Sequence, residues 1–266
     1  MALVPFPSAT TGDEEDDDPS PDSSGKMSFL EHLDELRKRL IYIVYSLVAG
    51  CAVAAVFIQR IFDFIMRPMQ KVLPGGGYLQ YTSGSEPFML WIKIGFLAGI
   101  FIASPLILWQ VWKFIAPGLY THEKKFAIPF VLMSTTFFVA GGLFAHYIAF
   151  PVTWQFFAGF ATDYMRFVPK IDEAFSLYTK MILGSGIIFE MPTLVLFLAR
   201  MGVVSGRMML KYFKYAFLAI FIIAAVISPG TDMMSQLVMA VPMLGLYIIS
   251  IAIAFIFQKR RTPATD

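Results

Sequence analysis

The chain has 266 residues, is 57% apolar and carries only 15% charged side chains. Soluble domains run nearer ~45–50% apolar and ~25% charged, so an ordinary soluble domain is excluded, and apolar runs long enough to cross a bilayer make this a polytopic membrane protein. The net charge of +2 hides an asymmetry: seven acids fall in the first 25 residues, and the remainder carries 21 bases against 12 acids, which suits a protein bordered by an anionic leaflet.

In chain order, residues 1–27 form an acidic Pro/Ser/Asp/Glu-rich tail containing the run Asp13–Asp18. The tail lacks the basic start and apolar stretch of a secretory signal and has the composition of a disordered segment. Ser28 and Glu31 fit a capping box, so a helix is expected to start there. Phe29, Leu33, Leu36 and Leu40 give it one apolar stripe. Asp34 precedes Lys38 by four residues and Glu35 precedes Arg39 by four, and ordinary intrahelical pairs of ~0.2–0.5 kcal/mol explain such charges without a binding role.

An all-α membrane protein follows, with a six-span membrane domain over residues 28–258 and a short basic tail over 259–266. The predicted spans are about 40–58, 88–111, 126–150, 174–199, 212–227 and 236–257. The fifth is short for a bilayer. With the amino terminus inside, fourteen bases fall in inner segments against five in outer ones, so both termini are expected in the cytoplasm. The stretches 59–87 and 151–173 read as long outer loops, with Phe150, Pro151, Val152 and Tyr178 as caps on the surface. Pro105, Pro192 and Pro242 are expected to kink their spans. Gly95 and Gly99 allow close helix approach. Cys51 reads as a small buried residue.

Glu190 is the acid deep in a span, about nine residues or ~14 Å from its inner end at ~1.5 Å per residue. Such a group faces protein or a wet cavity and is a functional candidate by default, while a protonated glutamate bonded to a neighbouring helix is the structural alternative. Pro192 frees the carbonyl of Ile188 beside it, which adds to a polar notch. Glu123 lies in the second inner loop, where the first turn of the next helix favours an acid. Asp232 stands at the start of the sixth span, where helix capping explains it well and a functional role is the lesser alternative. No enzyme is expected. His122-Glu123 begins a zinc-protease motif, but Phe126 stands where the second histidine is required. Three histidines and one cysteine make no convincing metal site. Neither a cofactor nor a nucleic-acid partner is expected.

Several stretches together resemble the TatC family, the multispanning core subunit of the twin-arginine protein translocase. They are HLDELRKRL (His32–Leu40), Pro68, SPLILWQVWKFIAPGLYTHEKK (Ser104–Lys125), FEMP (Phe189–Pro192) and SPGTDMMSQ (Ser228–Gln236) with Pro242. The resemblance covers about residues 28–257, in the family's order. It implies a receptor in the bacterial cytoplasmic membrane that binds signal peptides bearing two consecutive arginines. It further implies export of folded precursors driven by the protonmotive force, together with single-span TatA/TatB-type subunits and other copies of itself. The family's binding residues then fall on Glu35, Arg37, Arg39, Phe114 and Glu123, its membrane acid on Glu190, and further functional positions on Pro68, Asp232 and Gln236. Two other classes remain open from the residues: a secondary transporter using Glu190 as its coupling acid, and a scaffold for a membrane complex.

Overall fold

The computed structural model describes residues 29–73, 78–115, 127–228 and 233–257. Ten α-helices are described: α1 (Phe29–Val56), α2 (Ile58–Lys71), α3 (Glu86–Ile115), α4 (Ala127–Phe144), α5 (Phe150–Ala158), α6 (Ile171–Phe189), α7 (Met191–Arg200), α8 (Gly206–Lys211), α9 (Phe213–Ile227) and α10 (Met233–Phe257). A π-helical turn, Ala145–Ala149, joins α4 to α5. Five helical runs are long and apolar enough to cross a membrane, namely 30–56, 86–115, 128–158, 171–200 and 233–257, and α9 is a shorter apolar helix. Large apolar side chains such as Leu40, Val44, Tyr45 and Val48 stand exposed on their outer faces, the pattern of a surface solvated by lipid rather than water.

The core lies between α2, α3, α6, α7, α9 and α10, around Met69, Ile94, Tyr178, Met181 and Met243. By contrast, α1 is peripheral and packs chiefly on α3. That contact is set by small residues. A Cβ added at Gly50 would meet the carbonyl oxygen of Gly99 at 2.5 Å and the Cβ of Ala103 at 2.9 Å, and one added at Gly99 would meet Cys51 Sγ at 2.5 Å. Backbones this close trade side-chain volume for dispersion contact, the usual means of helix association where lipid offers no hydrophobic driving force.

Prolines shape the remaining runs. Pro105 removes the donor for the carbonyl of Phe101, and the Ser104 hydroxyl donates to that carbonyl instead, at 2.7 Å. Pro151 likewise cannot donate to the carbonyl of Tyr147, and the chain there takes the wider π turn, with Phe150 N–H donating to the Ala145 carbonyl. At Glu190 the helix stops and restarts ahead of Pro192. The Glu190 N–H folds back to the Ile187 carbonyl at 3.1 Å, and Leu194 N–H donates to the Glu190 carbonyl at 2.9 Å to begin α7.

Three expectations are corrected. The stretch after the first span opens not as a loop but with α2, which spaces Ile65, Met66 and Met69 so that they bury against the bundle. Phe150 and Tyr178 are not surface caps: they are 0% and 1% exposed. The third span runs on through the π turn to Ala158, because a π turn absorbs Pro151 without ending the helix. The two connections at this end are stapled together, with Gln80 N–H donating to the Pro169 carbonyl at 3.0 Å and Ile171 N–H to the Gln80 carbonyl at 2.8 Å. Lys93 and Asp172 add an exposed ion pair beside the staple, a kind of contact usually worth ~0–1 kcal/mol.

Candidate functional site

One face of α1 carries His32, Glu35 and Arg39, spaced three and four residues apart so that they stack along a single stripe. That stripe, rather than the leucines, faces α3; Leu33, Leu36 and Leu40 are exposed. Arg39 Nη2 donates to Glu35 Oε1 at 2.9 Å, and Arg39 Nη1 donates to Gln110 Oε1 at 3.4 Å. The His32 ring stacks on Phe114 with centroids 4.5 Å apart. The Glu35 and Arg39 side chains are 14% and 20% exposed. Their pairing thus lies in a partly desolvated seam, where charge–charge contacts are stronger than in water and an unmatched atom costs more. Glu35 Oε2 and Arg39 Nε are such atoms: both are buried, and neither has a hydrogen-bond partner among the described residues. A carboxylate with one oxygen committed and the other unmatched keeps acceptor capacity for a further hydrogen bond.

The α3 side of the seam is held from behind by an aromatic cluster. Trp112, between Gln110 and Phe114 in sequence, packs on Phe130 of α4 at 4.6 Å and edge-on to Phe197 of α7 at 4.9 Å. The Arg200 guanidinium lies over the rings of Phe130 and Phe257 at 5.9 Å and 5.4 Å. Cation–π contacts of this kind contribute ~0.5–2 kcal/mol each, and they tie the ends of α3, α4, α7 and α10 together.

Of the residues singled out in the sequence, Glu35, Arg39 and Phe114 come together here. Arg37 is exposed on another face of α1. Glu123 and Asp232 lie outside the described residues, as does the Ser28 cap. Of the two expected intrahelical pairs, Glu35–Arg39 forms, whereas Asp34 and Lys38 are both exposed. Glu190 is elsewhere, in the break between α6 and α7. Its Oε1 is buried with no hydrogen-bond partner among the described residues, and the Ser134 hydroxyl of α4 reaches its carboxyl. The hydroxyl of Thr193, 1% exposed, is likewise without a hydrogen-bond partner among the described residues. Two buried polar oxygens without partners among the described residues thus flank Pro192. Pro68 lies buried in α2, at the far end of the molecule from Glu35. Gln236 ties α10 to α9, its Nε2 donating to the Phe221 carbonyl at 3.0 Å. His32, Gln110 and Ser134 went unpredicted. The spacing of His32 to Glu35 and Arg39 was a usable signal, and so was a lone glutamine one turn before Phe114 in an apolar helix.

Comparison with known proteins bears on all of this. A family model described as Sec-independent protein translocase protein (TatC) matches residues 31–242. The Sec-independent protein translocase protein TatC of Koribacter versatilis (strain Ellin345) is 44% identical over 237 residues, covering 88% of this chain and 87% of that protein. The TatC of Helicobacter pylori (strain J99) is 40% identical over 223 residues, covering 84% and 87%. Two crystal structures of a twin arginine translocase receptor TatC share the fold. One is 36% identical with a TM-score of 0.73, over 84% of this chain and 98% of that one. The other, in DDM, is 37% identical with a TM-score of 0.76, over 84% and 99%.

Proposed function

The chain belongs to the TatC family of Sec-independent protein translocase proteins, and on that premise we propose that it is the receptor that captures twin-arginine signal peptides. Two guanidiniums are best met by two carboxylates on one side of the membrane. Glu35 is the first, and Glu123, in the segment joining α3 to α4, is the second. Arginine presents a rigid fork of donors that lysine lacks, so carboxylates select an arginine pair over a lysine pair. Phe114 supplies apolar surface beside the pair. Arg39 holds Glu35 in place, and Arg37 with its neighbouring bases anchors this end on the cytoplasmic side.

The observation that carries the reading is the Glu35 carboxylate itself. One of its oxygens is fixed by Arg39 and the other is buried without a hydrogen-bond partner among the described residues, beside a ring stack that shapes the seam. In this reading the chain crosses the bacterial cytoplasmic membrane six times, α9 being the short fifth crossing, with both termini in the cytoplasm. Glu190 receives the signal's apolar stretch or a partner helix within the bilayer. Pro68, Asp232 and Gln236 support the non-cytoplasmic face. Single-span TatA/TatB-type subunits complete the machine, and the protonmotive force drives it.

Purification of the tagged full-length chain from its native membrane tests the assembly. Single-span amphipathic subunits are expected to co-purify, and the chain alone in sealed vesicles is expected to pass no ion or solute. Solute flux through the chain alone, without partners, would instead make Glu190 the coupling acid of a transporter.

A further inference from the structure

We propose that the end of the bundle opposite Glu35 binds one anionic phospholipid, its phosphate against Arg67 and Lys71 and one acyl chain in the groove beside Phe64. Two adjoining cavities carry the inference. The first, about 240 Å³, lies between α2, α3 and α4; Ile61, Leu97, Phe101, Ile102 and Leu143 are among its walls. The second, about 280 Å³, is lined by Arg67, Lys71, Tyr147, Pro151 and Gln155 among others. Phe64 and His146 line both, so a cationic mouth and an apolar slot adjoin across this ring pair.

The shape of the slot is set by local structure already described. The π turn before Pro151 carries His146, whose Nδ1 is hydrogen-bonded to the Tyr178 hydroxyl at 2.8 Å. Its ring stacks on Phe64 with centroids 4.0 Å apart. This stacked pair, with the imidazole Nδ1 satisfied by Tyr178, forms a ridge of ring faces that a lipid tail can rest on. Phe64, Ile102 and Leu143 are 38%, 41% and 44% exposed, so the slot opens sideways between apolar faces, toward hydrocarbon rather than water. From Glu86 at the start of α3, Leu97 to Ile102 lie about 17–24 Å along the helix at ~1.5 Å per residue, near the middle of a hydrocarbon core ~30 Å thick, where the end of an acyl chain lies.

Charge complementarity fixes the occupant. Arg67 and Lys71 stand one helical turn apart on α2, both exposed. Neither forms an ion pair among the described residues, although the exposed Asp63 lies one turn before Arg67. A neutral lipid leaves the two cations unexplained, and a free phosphate leaves the slot unexplained.

The test uses the full chain reconstituted in phosphatidylcholine vesicles doped with a trace of lipid carrying a diazirine on one acyl chain. The tagged lipid is phosphatidylglycerol in one sample and phosphatidylcholine in the other. After irradiation, phosphatidylglycerol is expected to label residues 61–64 and 97–102 about 5- to 30-fold more than phosphatidylcholine, the selectivity of two basic side chains near an anionic headgroup. Arg67→Gln with Lys71→Gln is expected to bring phosphatidylglycerol labelling down to the phosphatidylcholine level. Ala98→Phe, which fills the slot, is expected to remove labelling of these peptides by both lipids. Equal labelling by the two lipids in the parent chain overturns the proposal. So does phosphatidylglycerol labelling that survives loss of both cations, or a protein adduct in place of a lipid one when a photoreactive residue replaces Ile61 in cells.

Discussion

Glu35→Gln and Glu123→Gln are each expected to abolish export of a folded reporter carrying a twin-arginine signal, while both variants insert into the membrane at the parent level. A glutamine keeps size and hydrogen-bonding capacity but removes the charge that a guanidinium seeks. Hydrogen bonds to charged groups contribute ~1.5–3 kcal/mol each, so loss of one carboxylate weakens capture by about 10- to 150-fold. The two substitutions differ in one respect. Glu35→Gln also loosens Arg39, whose Nη2 rests on Glu35 Oε1 at 2.9 Å, so its loss extends to the seam with α3. Export from both variants at the parent rate would remove these acids from the site.

Gly50→Leu or Gly99→Leu should have an effect of similar size without touching a charge. Gly50 lies 11 residues beyond Arg39 on α1, or about 16 Å along the helix. The atoms a new side chain would meet, the Gly99 carbonyl oxygen at 2.5 Å from Gly50 and the Cys51 backbone nitrogen at 2.9 Å from Gly99, belong to the opposing backbone and cannot rotate away. Overpacking of this kind typically costs ~1–3 kcal/mol, with rearrangement of the neighbouring elements. Because α1 packs chiefly on α3, the helix itself must shift, and His32 leaves Phe114 while Arg39 leaves Gln110. Gly245→Leu in α10, where nothing stands within 4 Å of the added atom, is the control and should export normally. The readout is export measured beside cysteine cross-linking between positions 32 and 114. The glycine variants should lose both at unchanged protein level. Retained cross-linking would show that α1 had not moved.

The sequence was legible where one physical signal dominates. Hydropathy located the long spans, because about twenty apolar residues leave one physical signal dominant. The helix α2 was hidden because Arg60, Asp63, Arg67 and Lys71 interrupt its apolar residues and Pro68 reads as a stop. Yet Ile61 and Ile65, and Phe62, Met66 and Met69, keep helical spacing, which was the signal available. The burial of Phe150 and Tyr178 was not readable, since it depends on a π turn and on a histidine from another helix. The candidate site divides in the same way. Glu35 and Arg39 are one turn apart and their contact is local, hence legible. Phe114 and Gln110 meet α1 only because Gly50 and Gly99 bring two helices together, and Ser134 meets Glu190 across a tertiary contact. Such partners are set by packing, which no spacing within one segment encodes.

The central claim is that paired carboxylates at the charged end of α1 and in the segment between α3 and α4 select two arginines. The most direct measurement is capture of a precursor by the full-length chain in membranes, comparing its twin-arginine signal with a Lys-Lys version. The account predicts retention of the Arg-Arg precursor, at least about tenfold weaker retention of the Lys-Lys form, and loss of that difference in Glu35→Gln. Equal retention of the two precursors by the parent chain would contradict it.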